Sequence, residues 1–271
     1  ISEASLNPKA NREKMIQLMF ETFSIPSFCF AKQGILSLFS SGRVTGVSCV
    51  VGDGVSEVVP IYKGHALENA VKRLNIGGRD ITYYLQRILT ERGYYITSSE
   101  EKEMTRDLKE KCGYVAIDYD SELQIAKVSS ECDISYSTWR MNCITIADER
   151  FRCAELLFKP YLNGLEIDGI DQTIFNSINE CSEEYHSDLY SNIVLSGGTT
   201  MFDGFPERIE KEITNLASPD EKIKVVAPPE RKYAVWIGGS IFASLPIFPQ
   251  YIITHNEYND SGPEILNCKC F

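Results

Sequence analysis

The sequence predicts an α/β protein, because stretches of helical period and stretches of strand period alternate along it. Three observations set that expectation. Met15, Ile16, Met19, Phe20 and Phe23 recur at helical spacing after Asn7-Pro8. Val47, Cys49 and Val51, then Val55 and Val58-Val59-Pro60-Ile61, flank the turn Gly52-Asp53-Gly54. The run Asn192-Ile193-Val194-Leu195 leads through Ser196-Gly197-Gly198 toward a helix over residues 206–216.

Taken in order, Ile1-Ser2-Glu3-Ala4 reads as the end of a strand, and with no initiator Met the expectation is that residues precede it or were removed. Asn7 is expected to cap a helix with Pro8 in its first position, where the missing N–H costs nothing. Pro26 ends that unit, residues 27–30 read as a short strand, and 34–39 as a short helix breaking at Ser40-Ser41-Gly42. Residues 45–62 form a hairpin around the Gly52 turn. A helix over 79–92 puts Ile81, Leu85, Ile88 and Leu89 on one face and stops at Gly93. Another starts at a Ser98/Ser99 cap and runs through Met104 and Leu108. Residues 121–142 are weakly patterned and read as surface strand and loop. Helices over 149–158, ended by Pro160, and over 170–178 follow, then a strand over 222–227 before Pro228-Pro229. The last helix begins near Trp236 and includes Ile237, Ile241, Phe242 and Leu245. No short-period repeat is visible. The glycine-turned units at Gly52 and Gly197 are compatible with duplicated α/β halves.

A chain of 271 residues, 43% hydrophobic, can bury one large core or two smaller ones. Its 14 Tyr and 13 Phe exclude an acidic disordered chain. With 38 acidic against 27 basic residues and a pI of about 4.9, direct nucleic-acid binding by phosphate neutralisation is excluded too, and basic partners are favoured. Of the nine cysteines (Cys29, Cys49, Cys112, Cys132, Cys143, Cys153, Cys181, Cys268 and Cys270) only the last two are closely spaced, with no second pair to complete a zinc site. They read as buried thiols of a reducing compartment, the terminal pair exposed. No run approaches the ~20 apolar residues of a membrane span, and nothing resembles a signal peptide, so no membrane insertion is expected.

A glycine turn between strands lets backbone N–H groups converge on phosphate. Gly52-Asp53-Gly54 and Ser196-Gly197-Gly198-Thr199-Thr200 both qualify, although such a turn is by itself more often only a turn. Together with Arg106 through Glu110 and Glu230-Arg231-Lys232-Tyr233, they and their flanks resemble the actin family, continuously from Leu6-Asn7-Pro8-Lys9 to Lys269-Cys270-Phe271. The most specific stretches are 7–14, 194–201, 227–233, Met19-Phe20-Glu21-Thr22-Phe23, Leu89-Thr90-Glu91-Arg92-Gly93-Tyr94, Glu149-Arg150-Phe151-Arg152-Cys153, Trp236-Ile237-Gly238-Gly239-Ser240 and Ser261-Gly262-Pro263.

The resemblance implies an actin-like two-lobed α/β fold, of the sugar-kinase and chaperone ATPase type and N-terminally incomplete, holding ATP or ADP with Mg between its halves. Residues 1–40 and 234–271 would form the remnant of the first large lobe. Residues 41–76 and 166–233 would form the second, with the phosphate-loop hairpin, and 77–165 its outer insertion. Gly52, Asp53 and Gly54 match the second phosphate loop. Gly78, Arg106, Lys109 and Glu110 match the adenine and ribose side, and Gly197, Gly198, Thr199, Met201, Phe202 and Lys232 the opposing wall, Phe202 replacing the usual Tyr. Gln33 matches the glutamine that positions the attacking water.

Three departures qualify the hydrolytic expectation. Val50 stands where actins carry a metal-site Asp, Glu57 where a histidine usually supports the attacking water, and the first phosphate loop is absent. No metal ligand is therefore assigned, and hydrolysis is expected to be impaired, because phosphoryl transfer depends on positioning and charge stabilisation. The helices over 8–23 and from Trp236 would also leave an apolar face uncovered. The resemblance further places a regulator groove at Phe39, Ser40, Gly42, Val44, Gly64, His65, Phe242, Leu245, Ile247 and Tyr251, with Pro246 and Pro249 unusual in it. Residues 160–169 match a filament plug, made polar by Asn163, Glu166 and Asp168. His186, His255 and the run 207–212 read as solvated. The expected role is a structural subunit working with other actin-family subunits and actin-binding proteins, in the cytoplasm and cytoskeleton or in a nuclear complex. The alternative is a conventional polymerising ATPase of which this chain is a part.

Overall fold

The computed structural model describes residues 1–137 and 143–269. The chain opens with β1 (Ser2–Glu3), α1 (Lys9–Gln17), β2 (Ser27–Phe28), β3 (Ala31–Lys32) and α2 (Gln33–Ser40). The strands β4 (Gly46–Val51), β5 (Ser56–Tyr62), β6 (His65–Ala66) and β7 (Lys72–Leu74) follow. Next come α3 (Gly78–Glu91), α4 (Ser99–Cys112), α5 (Tyr119–Val128), β8 (Ile134–Tyr136), β9 (Ile144–Ile146), α6 (Glu149–Arg152), α7 (Ile170–Asn179) and α8 (Glu183–Tyr190). The chain continues through β10 (Ile193–Ser196), α9 (Phe205–Leu216), β11 (Val225–Val226), α10 (Ala234–Ala243), β12 (Ile253–Thr254), α11 (His255–Ser261) and α12 (Leu266–Lys269).

The principal sheet runs β11-β10-β4-β5-β6, with β7 also paired to β5. Strand β4 lies antiparallel to β5 and parallel to β10, so the predicted hairpin and the predicted strand before Gly197 are neighbours. Every residue of β4 and β10 is buried, which accounts for their uninterrupted apolar reading. Helices α3, α4, α7 and α9 contribute to one large core with these strands, including Val47, Val58, Leu85, Leu108, Ile174, Leu195 and Ile209. A separate small core joins Ile16, Phe20, Phe28 and Phe30 to Ile253, Tyr258 and Leu266. There the rings of Phe20 and Tyr258 stack at 4.6 Å.

Several expectations need correction. Asn7 does not cap α1, whose cap residue is Pro8; its amide instead donates to Glu3 at 3.2 Å. The predicted stripe is only partly buried: Ile16 and Phe20 are inside, while Met15 and Phe23 are exposed. Residues 119–128 are helical rather than strand and loop, because the Asp118 carboxylate accepts from the Ser121 amide and starts α5. The rest of that stretch contains β8, and its residues 138–142 lie outside the described residues. Helix α8 was not expected, and the strand placed over 222–227 shrinks to β11.

Residues 207–212 are not uniformly solvated, since Arg208 and Ile209 are buried. His186 lies 3.1 Å from the Cys181 carbonyl, and His255 packs edge-on against Phe20, so neither is simply solvated. Cys49, Cys112 and Cys153 are buried as expected, but Cys29, Cys132 and Cys181 are half-buried and Cys143 is exposed. The expectation for Cys268 and Cys270 falls outside the described side chains.

Candidate nucleotide cleft

The register of the principal sheet brings the two glycine turns together. Val50 on β4 pairs with Ser196 on β10, so Gly52 and Gly197 leave adjacent parallel strands at their carboxyl ends. That edge is where open α/β sheets place ligands. Gly197 has φ +92°, and a Cβ there would stand 2.3 Å from the Val51 carbonyl oxygen; only glycine fits so close a crossing.

Hydrogen bonds then fix both turns. Gly52 N–H donates to the Val55 carbonyl at 3.0 Å. The Gly52 carbonyl accepts from Gly78 N–H at 3.0 Å and from the Thr199 hydroxyl at 2.8 Å, and the Asp53 carbonyl accepts from Arg79 N–H at 2.8 Å. The Asp53 and Gly54 amides have no partner among the described residues and remain available as donors. On the other turn, Gly197 N–H donates to the Arg231 carbonyl at 3.0 Å, while the Arg231 guanidinium donates twice to the Thr200 carbonyl. This locks Glu230-Arg231-Lys232 against the glycines and sets the Lys232 stem beside Gly198.

A cavity of about 810 Å³ opens between these turns and the helices α2 and α10, a volume in the usual range for small-molecule sites. Gln33, Val50, Gly52, Gly197, Gly198 and Lys232 all line it. Asp53, Gly78, Lys109 and Thr199 cluster beside it: a Cβ on Gly78 would lie 2.7 Å from the Thr199 hydroxyl, 3.4 Å from Lys109 Nζ and 3.6 Å from Asp53 Oδ1. Lys109 is buried and donates to the Gly78 carbonyl at 2.7 Å and the Thr82 hydroxyl at 2.9 Å. No ion pair satisfies it among the described residues, and burial holds its pKa below the usual lysine value. Phe202 is buried, its ring edge against Gly113, whereas Met201 is exposed. Arg106 and Glu110 do not line this cavity. They border a second one, of about 520 Å³, with Asp107 and Tyr136.

A row of residues crosses the sheet at this edge: Ser196, Val50, Glu57 and Arg73 are successive register partners on β10, β4, β5 and β7. Direct register partners share a face. Glu57, only 1% exposed, accepts from the Ser5 amide at 2.6 Å, and its Oε1 has no hydrogen-bond partner. Burial raises its pKa above the ordinary carboxylate value, an effect that the Ser5 amide and the Arg73 charge only partly offset. Among the described residues no Asp or Glu lines the 810 Å³ cavity, and no group of three or more His, Cys, Asp or Glu could hold a metal ion.

Arg79 was missed by sequence reasoning. Its guanidinium pairs with Asp53 at 3.2 Å and lies over Gly54, where an added Cβ would meet Nη2 at 2.9 Å. The available signal was its place directly after Gly77-Gly78, at the start of the helix that abuts the turn. Trp236, 75% exposed and on the cavity wall, is a second omission of this kind.

Phe39, Phe242 and Tyr251 form an aromatic cluster with Phe248, the Phe242 ring lying 5.3 Å from Phe248 and 5.5 Å from Tyr251. Leu245 and Ile247 follow α10 and are exposed. Gly64 N–H donates to the exposed Val44 at 2.7 Å, and Gly64 approaches the Phe39 ring. Gly42 and His65 are exposed. In the stretch 160–169, Asn163 accepts from Arg87 and Asp168 from Asn176, so two of its polar side chains already have partners. Among the described residues no helix is long and apolar enough to cross a membrane. Residues 1–271 match the family model described as Actin.

Proposed function

The chain belongs to the actin family, and from that premise we propose that it is a structural subunit of a filament or larger cytoskeletal complex, with nucleotide bracing its cleft and little ATP hydrolysis. The observation behind the second half of this reading is Val50. It sits on the cavity wall beside Ser196 and Glu57 and offers neither charge nor lone pair to polarise water.

In this reading ATP or ADP lays its phosphates against the unpaired Asp53 and Gly54 amides and Gly198, with Lys232 alongside. Gly52 and Gly197 shape that floor. Gly78 and Lys109 beside the cavity, with Arg106 and Glu110 on the neighbouring cavity along the same helix α4 as Lys109, are assigned to adenine and ribose, and Thr199, Met201 and Phe202 to the opposing wall. Gln33, at the first position of α2 on the cavity wall, is the residue that would orient a water. Phe39, Gly42, Val44, Gly64, His65, Phe242, Leu245, Ile247 and Tyr251 are proposed to receive other actin-family subunits or actin-binding proteins. We place the work in the cytoplasm and cytoskeleton, or in a nuclear complex. The lobes are assigned as 1–40 with 234–271, 41–76 with 166–233, and 77–165. The small core joining residues 16–30 to 253–266 supports the first grouping. The large core ties the other two together.

Phosphate release from Mg-ATP tests the proposal. Wild-type release is expected near background, and Val50→Asp is expected to raise it. Turnover by the wild type at ordinary actin rates would favour the polymerising ATPase instead. Sedimentation on adding salt and Mg reports whether the chain assembles.

A further inference from the structure

The magnesium that accompanies nucleotide in this family does not fit the residues of this chain. A hard divalent cation held near phosphates relies on one or two carboxylates in addition to phosphate and water oxygens. Across the row at the carboxyl end of the sheet the side chains are Ser196, Val50, Glu57 and Arg73. The single carboxylate among them is sealed from solvent, bonded to the Ser5 amide and next to Arg73. Asp53, the acid of the phosphate turn, already pairs through Oδ2 with Arg79 and does not line the cavity.

What surrounds the turns instead is cationic. Lys232 lines the cavity beside Gly198. Arg79 lies over Gly54. Lys109 is buried under Gly78 with two neutral oxygens as its acceptors and no ion pair among the described residues.

Resting on the cleft reading above, we infer that this chain holds the polyphosphate of a nucleotide without a divalent cation, its charge being met by Lys232 and Arg79 and by the free amides of Asp53 and Gly54. Free nucleotide, not its magnesium complex, is then the ligand that this chain's own residues recognise.

Titration calorimetry of the full chain with ATP, in EDTA and in excess magnesium, tests this. The affinity in EDTA is expected to equal or exceed that in magnesium. Arg79→Gln and Lys232→Gln, both at exposed side chains and so no threat to folding, are each expected to weaken binding in EDTA by about tenfold, the usual scale of one charge-assisted contact. Val50→Asp is expected to make binding magnesium-dependent. A loss of tenfold or more on removing magnesium from the wild type would overturn the inference while leaving the cleft reading intact. Absence of ATP binding under both conditions would overturn the inference and the cleft reading together.

Discussion

Two neighbouring glycines on α10 should respond in opposite ways to the same added methyl group. Helix α10 crosses α2 so closely at Gly238 that a Cβ there would stand 1.7 Å from the Leu36 carbonyl oxygen and 2.5 Å from its carbon. Close carbon–oxygen contacts normally settle near ~3.3–3.6 Å, so the helices must separate by roughly 1.5–2 Å at this point. The obstruction is backbone, which cannot rotate away. Leu36 and Phe242, both buried in this contact, would lose packing as the gap opens. Overpacking of a core typically costs about 1–3 kcal/mol, and the backbone clash places Gly238→Ala at or above the top of that range. At Gly239 the corresponding Cβ would meet Leu36 Cδ1 at 3.7 Å, an ordinary contact. Gly239→Ala should therefore stabilise by about 0.5–1 kcal/mol through helix propensity. Urea unfolding of the three proteins measures both effects. Gln33 and Val50 line the cavity from one side of this crossing and Trp236 and Gly239 from the other, so Gly238→Ala should also weaken nucleotide binding. A Gly238→Ala protein within 1 kcal/mol of wild type, with the helix separation unchanged, would refute the packing argument.

Arg208 makes two 3.1 Å bonds to the buried Glu155, one of 2.6 Å to Glu212 and one of 2.6 Å to the Ala116 carbonyl. Arg208→Met should cost about 3 kcal/mol by leaving the buried Glu155 with Lys159 alone, 3.4 Å away, whereas the double change with Glu155→Leu should recover most of it; a double-mutant cycle in urea checks this. Glu101 accepts from the Ser98 and Thr97 amides, which lower its pKa to about 2, against 4.5 for an unperturbed Glu. Its support for the start of α4 should be complete above pH 4.5 and vanish as the pH falls through about 2, and NMR titration of its carboxyl carbon reads the value directly. For Lys109 the slope has the same sign, but here it is the charged form that the fold disfavours. Desolvation lowers its pKa from 10.5, so stability should rise with pH between the lowered value and 10.5, and ATP affinity should fall over the same interval as the charge disappears. Lys109→Met should abolish both slopes, as followed by urea midpoints and calorimetry against pH.

The sequence made legible whatever depends on neighbours along the chain. The hairpin over β4 and β5, the Gly93 stop of α3 and the Ser98 cap of α4 all emerge from patterns a few residues long. Helix α5 escaped because none of its residues is buried, so it carries no apolar stripe to read. Helix α8 buries only Leu189 and Tyr190, both at its end. Arg208 looked solvated among Glu207, Glu210 and Glu212 because its partner Glu155 lies far away in the chain. Likewise, the glycine turns were readable as turns able to offer amides, but not which amides stay free. Gly52 N–H turns inward to Val55, and the available donors are at the next two positions. Nor could periodicity reveal that Glu57 stands beside Val50, since hairpin register alone decides it.

That register explains how the cleft can keep its shape while its chemistry changes. The position of each turn depends on backbone and hydroxyl contacts: Gly78 and Thr199 to the Gly52 carbonyl, Gly197 to Arg231, and the tight crossing of Gly197 over Val51. None of these involves the Val50 side chain. Residue 50 is constrained only to fit a buried strand between Ser196 and Glu57, and a β-branched apolar side chain meets that demand at least as well as a carboxylate. An apolar residue at this place thus leaves the frame standing and bears only on what the frame can polarise.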